Sequence, residues 1–207
     1  MSSTSYITVK GSASEQIAEK KSKFICNIAH VQSESEAEDF IRTAKKKYYD
    51  ARHNVYAYII GTGTNKIKKY SDDGEPSRTG GFPVMEMLEQ QGITDVVCVV
   101  TRYFGGILLG TGGLIRAYTA SAQKALESAG KSVLTLCSII KITVPYNLLS
   151  NLEYIIKDIA VTENKDFAND VTITVYTKNE KQVINAVTQK FGVGIKCEVV
   201  DTQYKPI

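Results

Sequence analysis

Two stretches of this 207-residue chain carry the residue types that handle phosphate. Residues 71–81 read Ser-Asp-Asp-Gly-Glu-Pro-Ser-Arg-Thr-Gly-Gly. Residues 101–118 read Thr-Arg-Tyr-Phe-Gly-Gly-Ile-Leu-Leu-Gly-Thr-Gly-Gly-Leu-Ile-Arg-Ala-Tyr. Glycine adds nothing to a core and costs backbone entropy, so glycines set this densely beside arginines suggest main-chain amides arranged around an anion. The candidate contacts to phosphate or nucleic acid are Arg78, Thr79, Gly80 and Gly81 in the first loop. In the second they are Arg102, Tyr103, Gly105, Gly106, Gly110, Thr111, Gly112, Gly113 and Arg116. The competing reading of the second loop is a tight strand-to-helix turn, which one glycine would satisfy. Neither familiar phosphate loop fits: Walker A lacks its Gly-Lys-Ser/Thr end, and Ile115 stands where a dinucleotide fingerprint needs its third glycine.

The acids of the first loop, Asp72, Asp73 and Glu75, rank first as groups that order the loop. Anchoring Arg78, Arg102 or Arg116 comes second. A hard cation comes third, because Asp72 and Asp73 are adjacent and point opposite ways in an extended segment. Arg102 is balanced between a phosphate contact and a local salt bridge, while Phe104 is expected in the core. His53 reads as structural. Arg42, Arg52 and Lys45–Lys47 could extend a phosphate-contacting face, although such runs are more often solvated helix ends. No Ser/His/Asp or Cys/His constellation is legible, so neither catalytic residues, nor a metal, nor a cofactor is expected.

These loops need a scaffold. Lys23–Val31 reads as a strand. Ser33 opens a helix reaching about Tyr49, with acids in its first turn and lysines at its end. Strands at Asn54–Ile60 and Lys66–Tyr70 flank a turn and form a hairpin. Phe82–Gln91 is a short helix. Asp95–Arg102 is a strand that should be central, because Val96–Val100 is apolar on both faces. The second glycine loop then leads into a helix over Gly113–Ala129. Beyond it the order is strand Val133–Pro145, helix Leu148–Lys157, strands Ala160–Asp166 and Val171–Tyr176, helix Glu180–Phe191 and strand Ile195–Thr202. That is the β-α-β-β-α-β order of ferredoxin-like domains, and it puts a domain boundary near Val133, dividing 1–132 from 133–207. The fold class is α+β.

Composition limits the partners. The apolar fraction of 43% supports a proper core. The net charge of +3 lies wholly in residues 1–133, where 17 Lys+Arg face 14 Asp+Glu; residues 134–207 hold 8 of each. This permits a local basic face and falls short of a strong nucleic-acid footprint. Cys26, Cys98, Cys137 and Cys197 are widely spaced and read as reduced thiols of a cytoplasmic protein. The polar stretch 1–11 lacks a signal-peptide core, and no apolar run approaches a membrane span.

With these residues in view, 71–118 resembles the signature of the Impact family, which includes bacterial two-domain, YigZ-type members. The resemblance rests on Ser71–Pro76, Thr79, Gly81 and Pro83, then Val99–Gly106, Leu109–Leu114 and Arg116–Tyr118, with Lys21–Ile25 and His53 as further family positions. Arg78, Gly80 and Phe82 depart from the usual pattern. The resemblance implies a first domain like the second domain of ribosomal protein S five, an α/β sandwich, followed by a ferredoxin-like domain. The pair is similar to the fourth and fifth domains of elongation factor G. It also implies a role near translation, since the eukaryotic relative regulates a stress-responsive initiation-factor kinase pathway. The expected function is a non-enzymatic RNA- or ribosome-binding regulator of translation. Two alternatives stand beside it: an enzyme acting on a phosphorylated small molecule, using the amides of Gly112 and Gly113 with Asp73, and a module that binds a protein partner.

Overall fold

A computed structural model describes residues 4–207; Met1–Ser3, the start of the polar stretch, lie outside the described residues. The fold is mixed α/β with two sheets, and the chain forms two compact units that divide between Val133 and Leu134.

The first unit holds β1 (Ser5–Val9), β2 (Ala13–Glu19), β3 (Ser22–His30), α1 (Glu34–Lys47), β4 (His53–Ile60), β5 (Ile67–Ser71), α2 (Gly81–Gln90), β6 (Val96–Tyr103) and α3 (Gly110–Ala129). Its antiparallel sheet runs β2-β3-β6-β4-β5. The expected central strand is central: β6 lies in the middle and is buried along nearly its whole length. Strand periodicity sorts its side chains to two sides. Val96, Cys98 and Val100 join Phe24, Cys26, Ile28, Val55 and Ala57 under α2 and α3. Val97 and Val99 join Tyr58 and Ile60 under α1. Helices therefore cover both faces, which is why an antiparallel strand can be apolar on both sides.

Local signals set the helix ends. The Ser33 hydroxyl accepts from the Glu36 amide at 3.2 Å, and the Glu36 carboxylate accepts from the Gln32 amide at 2.8 Å, a variant of the capping box. Three lysines close the last turn of α1 against the helix dipole. Two strands, β1 and β2, were not expected from sequence. Strand β2 has the helix-favouring composition Ala-Ser-Glu-Gln-Ile-Ala-Glu. It is extended because it pairs along β3 and turns Ala13 and Ile17 onto the core.

The second unit contains β7 (Lys131–Val144), α4 (Leu149–Ile156), β8 (Val161–Phe167), β9 (Val171–Thr177), α5 (Glu180–Phe191) and β10 (Lys196–Pro206). Its strands run β10-β7-β9-β8, each pair antiparallel. Ile140, Ile142, Val144, Ile173 and Val175 pack against Leu152 and Ile156 of α4 and Val183 and Val187 of α5. No helix among the described residues is long and apolar enough to cross a membrane.

Candidate anion-binding site

The first loop, between β5 and α2, is held by its own acids. The Asp72 carboxylate accepts three amides: Arg78 at 2.7 Å, Gly80 at 3.0 Å and Gly81 at 2.9 Å. Thr79 is buried, and both its amide and its hydroxyl are spent on the Pro76 carbonyl. These amides therefore offer no cradle to an outside anion, which corrects the binding role expected for Thr79, Gly80 and Gly81. Asp73 turns the opposite way. Its carboxylate accepts from Lys45 Nζ at 2.8 Å and from the Asn54 amide at 2.7 Å. Its carbonyl accepts from His53 Nδ1 at 2.8 Å, so Nδ1 carries a proton.

Glu75 reaches inward. One carboxylate oxygen accepts from Arg102 Nη1 and from the Tyr118 hydroxyl, each at 2.7 Å. The Arg102 and Glu75 side chains are 7% and 3% exposed. Burial, followed by the hydrogen bond to Glu75, pushes the Tyr118 phenol far above its usual range. The Arg102 guanidinium carbon lies 5.6 Å from the ring centroids of both Phe24 and Phe104. Its Nε is buried without a hydrogen-bond partner.

Arg102 opens onto a cavity of about 390 Å³ bounded by Arg52, His53, Glu75, Pro76, Phe104, the Leu108–Thr111 segment and Leu114. Helix α3 starts at Gly110, three residues before its expected start, so the last glycines of the loop form the helix's first turn. Gly110, Thr111 and Gly112 are exposed, and no side chain caps the helix. The free N–H groups of a 20-residue helix thus face solvent at the cavity rim.

The three arginines do not share this hollow, contrary to the expectation of one common anion site. Arg78 lies 3.5 Å above the centre of the Phe82 ring. Arg116 lines a separate cavity of about 230 Å³ with Ile17, Glu19, Lys20, Gly113 and Ala120. The reason is helical geometry: Arg116 follows Leu114, which faces the first cavity, by two residues, a rotation of about 200°. Tyr103 is also elsewhere engaged, its hydroxyl donating to Asp50 at 2.7 Å.

The glycines divide by cause. A Cβ on Gly105 would sit 2.0 Å from the Lys21 carbonyl carbon, so that glycine is required by the close approach of two chain segments. Gly110 has φ +66°, the left-handed region. At Gly112 neither demand exists, since a Cβ there would meet only Arg116 Nη1 at 3.5 Å.

Sequence reasoning missed Phe104, which is 48% exposed rather than in the core, and Leu108, which is 83% exposed. An apolar run inside a glycine-rich loop was the signal for both. Of the cations that could extend a phosphate-contacting face, Arg52 borders the first cavity, while Arg42, Lys45 and Lys46 line a groove on the α1 face with Lys69, Tyr49, Tyr56 and Tyr58. Three of those cations already face Asp39, Asp73 and Glu38.

Comparison with known proteins places this geometry in context. The Impact N-terminal domain model matches residues 20–126, from just after β2 through most of α3. The IMPACT family member YvyE of Bacillus subtilis (strain 168) is 42% identical over 170 residues, 79% of this chain and 78% of YvyE. The IMPACT family member YigZ of Escherichia coli (strain K12) is 40% identical over 109 residues, 52% of this chain and 53% of YigZ. A crystal structure of a hypothetical protein superposes with a TM-score of 0.63 at 27% identity, covering 97% of this chain and 98% of that one. The two-domain translational regulator Yih1 superposes only at a TM-score of 0.38, with 24% identity over 60% of this chain and 47% of its own, too slight a likeness to carry function. The family match spans both glycine loops and the helix that the second one opens, and the chain belongs to the Impact family.

Proposed function

We propose that this chain is a cytoplasmic, non-enzymatic regulator of translation that binds RNA or the ribosome through its first unit. The observation that carries the reading is the uncapped first turn of α3: exposed Gly110 and Thr111 present free amides beside Arg52 and the buried Arg102. A helix amino end carries roughly half a positive charge and accepts phosphate through its N–H groups. Arg52 is exposed at the cavity mouth. The family resemblance supports the translational setting. It also supports reading the first unit as like the second domain of ribosomal protein S five and the second unit as ferredoxin-like. The strand order β10-β7-β9-β8 is compatible with the latter.

Binding that depends on phosphate releases counterions and weakens steeply with salt. Structured RNA and purified ribosomes should be retained at about 50 mM salt and largely lost by about 200 mM. Arg52→Ala should weaken binding alike for all RNA sequences and lower the salt slope by roughly 1. Undetectable binding to both RNA and ribosomes at low salt overturns the proposal.

A further inference from the structure

The cavity beside α3 is amphipathic. One end is polar, formed by Arg52, the Arg102–Glu75 pair and the exposed amides from Gly110 onward. The other is apolar, formed by Phe104, Leu108 and Leu114. Phe104 and Leu108 remain largely in solvent although the fold buries Leu109 between them and the helix. Arg102 sits under this polar end. Its side chain is nearly fully buried, and its Nε–H has no acceptor within the protein.

We infer that this cavity takes a single unstacked nucleotide of an RNA strand. Its phosphate sits on the amides of Gly110 and Thr111 with Arg52, and its base lies against Phe104 and Leu108. The size agrees, since ligand pockets begin at about 300 Å³ and this one holds about 390 Å³. Stacking on an aromatic ring serves any base, so the site selects for a splayed nucleotide rather than for a sequence. The inference rests on the RNA-binding reading above and adds the ligand unit to it.

The test uses the full chain with three probes: single-stranded RNA, nucleoside monophosphates and inorganic phosphate. Binding is followed by calorimetry and by the amide resonances of residues 110–112. The expected result is that a monophosphate shifts those resonances, phosphate alone binds at least roughly tenfold more weakly, and Phe104→Ala weakens RNA by roughly tenfold or more. Leu108→Ser, at a solvent-exposed position that folding does not depend on, should weaken RNA in the same direction. If RNA binds wild type and both variants equally and monophosphates leave residues 110–112 unmoved, the cavity assignment falls while RNA binding stands. If monophosphates bind and RNA does not, the RNA reading falls, and with it the inference that the nucleotide belongs to a strand. If neither binds, both fall.

Discussion

Removing the Arg102 side chain should unfold the first unit far more readily than any loss of binding would suggest. Arg102 Nη1 lies 2.7 Å from Glu75, and neither side chain has appreciable contact with water. In Arg102→Ala the Glu75 carboxylate stays buried with the Tyr118 hydroxyl as its remaining partner in the site. Breaking a buried pair by deleting one member costs about 3–5 kcal/mol, because the charge left behind is uncompensated. Whole domains hold about 5–15 kcal/mol. Central-strand amides usually exchange only through global opening. On the scale of about 1.4 kcal/mol per tenfold, the slowest amides of β6 should then exchange roughly two to three and a half orders of magnitude faster. Amides of β9 in the second unit serve as the internal reference. Arg102→Met combined with Glu75→Gln removes both charges and should restore most of the protection, since apolar or neutral replacements of buried pairs are close to neutral. If Arg102→Ala changes β6 exchange by less than about fivefold, roughly 1 kcal/mol, the pair is not the anchor described here.

Three further outcomes are expected. Gly105→Ala should lower the urea midpoint by an amount equivalent to about 1–3 kcal/mol or more, because its Cβ meets the Lys21 backbone at 2.0 Å; an unchanged midpoint would show that the two segments separate freely. The hydrogen bond to Asp50 pushes the Tyr103 phenol up to about 12. The unfolded tyrosine ionises near 10, so this contribution is complete below about pH 10 and declines as pH rises toward 12. Asp50→Asn should bring Tyr103 back toward its ordinary value in a spectrophotometric titration, and no movement would remove Asp50 as the cause. Burial and the contact with Cys98, whose sulfur is 3.2 Å away, push the Cys26 thiol well up. Iodoacetamide at pH 8 should therefore modify Cys197, the least buried thiol, before Cys26 and Cys98; early labelling of either core thiol would contradict the packing.

What the sequence could disclose follows from how local each signal is. The two-faced apolar run of β6 and the Ser33 start of α1 depend on neighbouring residues alone, and both were legible. Strand β2 depends on β3, a partner its own composition does not announce. The adjacency of Asp72 and Asp73 showed that they must diverge, yet not where each would go. The amides that Asp72 claims lie six to nine residues along the chain, and no pattern distinguishes an amide waiting for a ligand from one already taken by a carboxylate. Phe104 illustrates the same difficulty from the apolar side: an aromatic residue after a buried strand is ordinarily core, and only the bend at the following glycines leaves it at a cavity wall.

Asp73 ties a helix of the first unit to the border of its cavity. Its carboxylate holds a lysine of α1, on one side of the sheet, while its carbonyl holds His53, which borders the cavity reached from the other. Surface loops usually absorb added or deleted residues with little penalty. A segment whose acids are fastened to α1, β4, α2, β6 and α3 has no slack to absorb such a change. Over evolutionary time it should keep its length while the tip at Gly63–Asn65, where no side chain caps the turn, drifts freely.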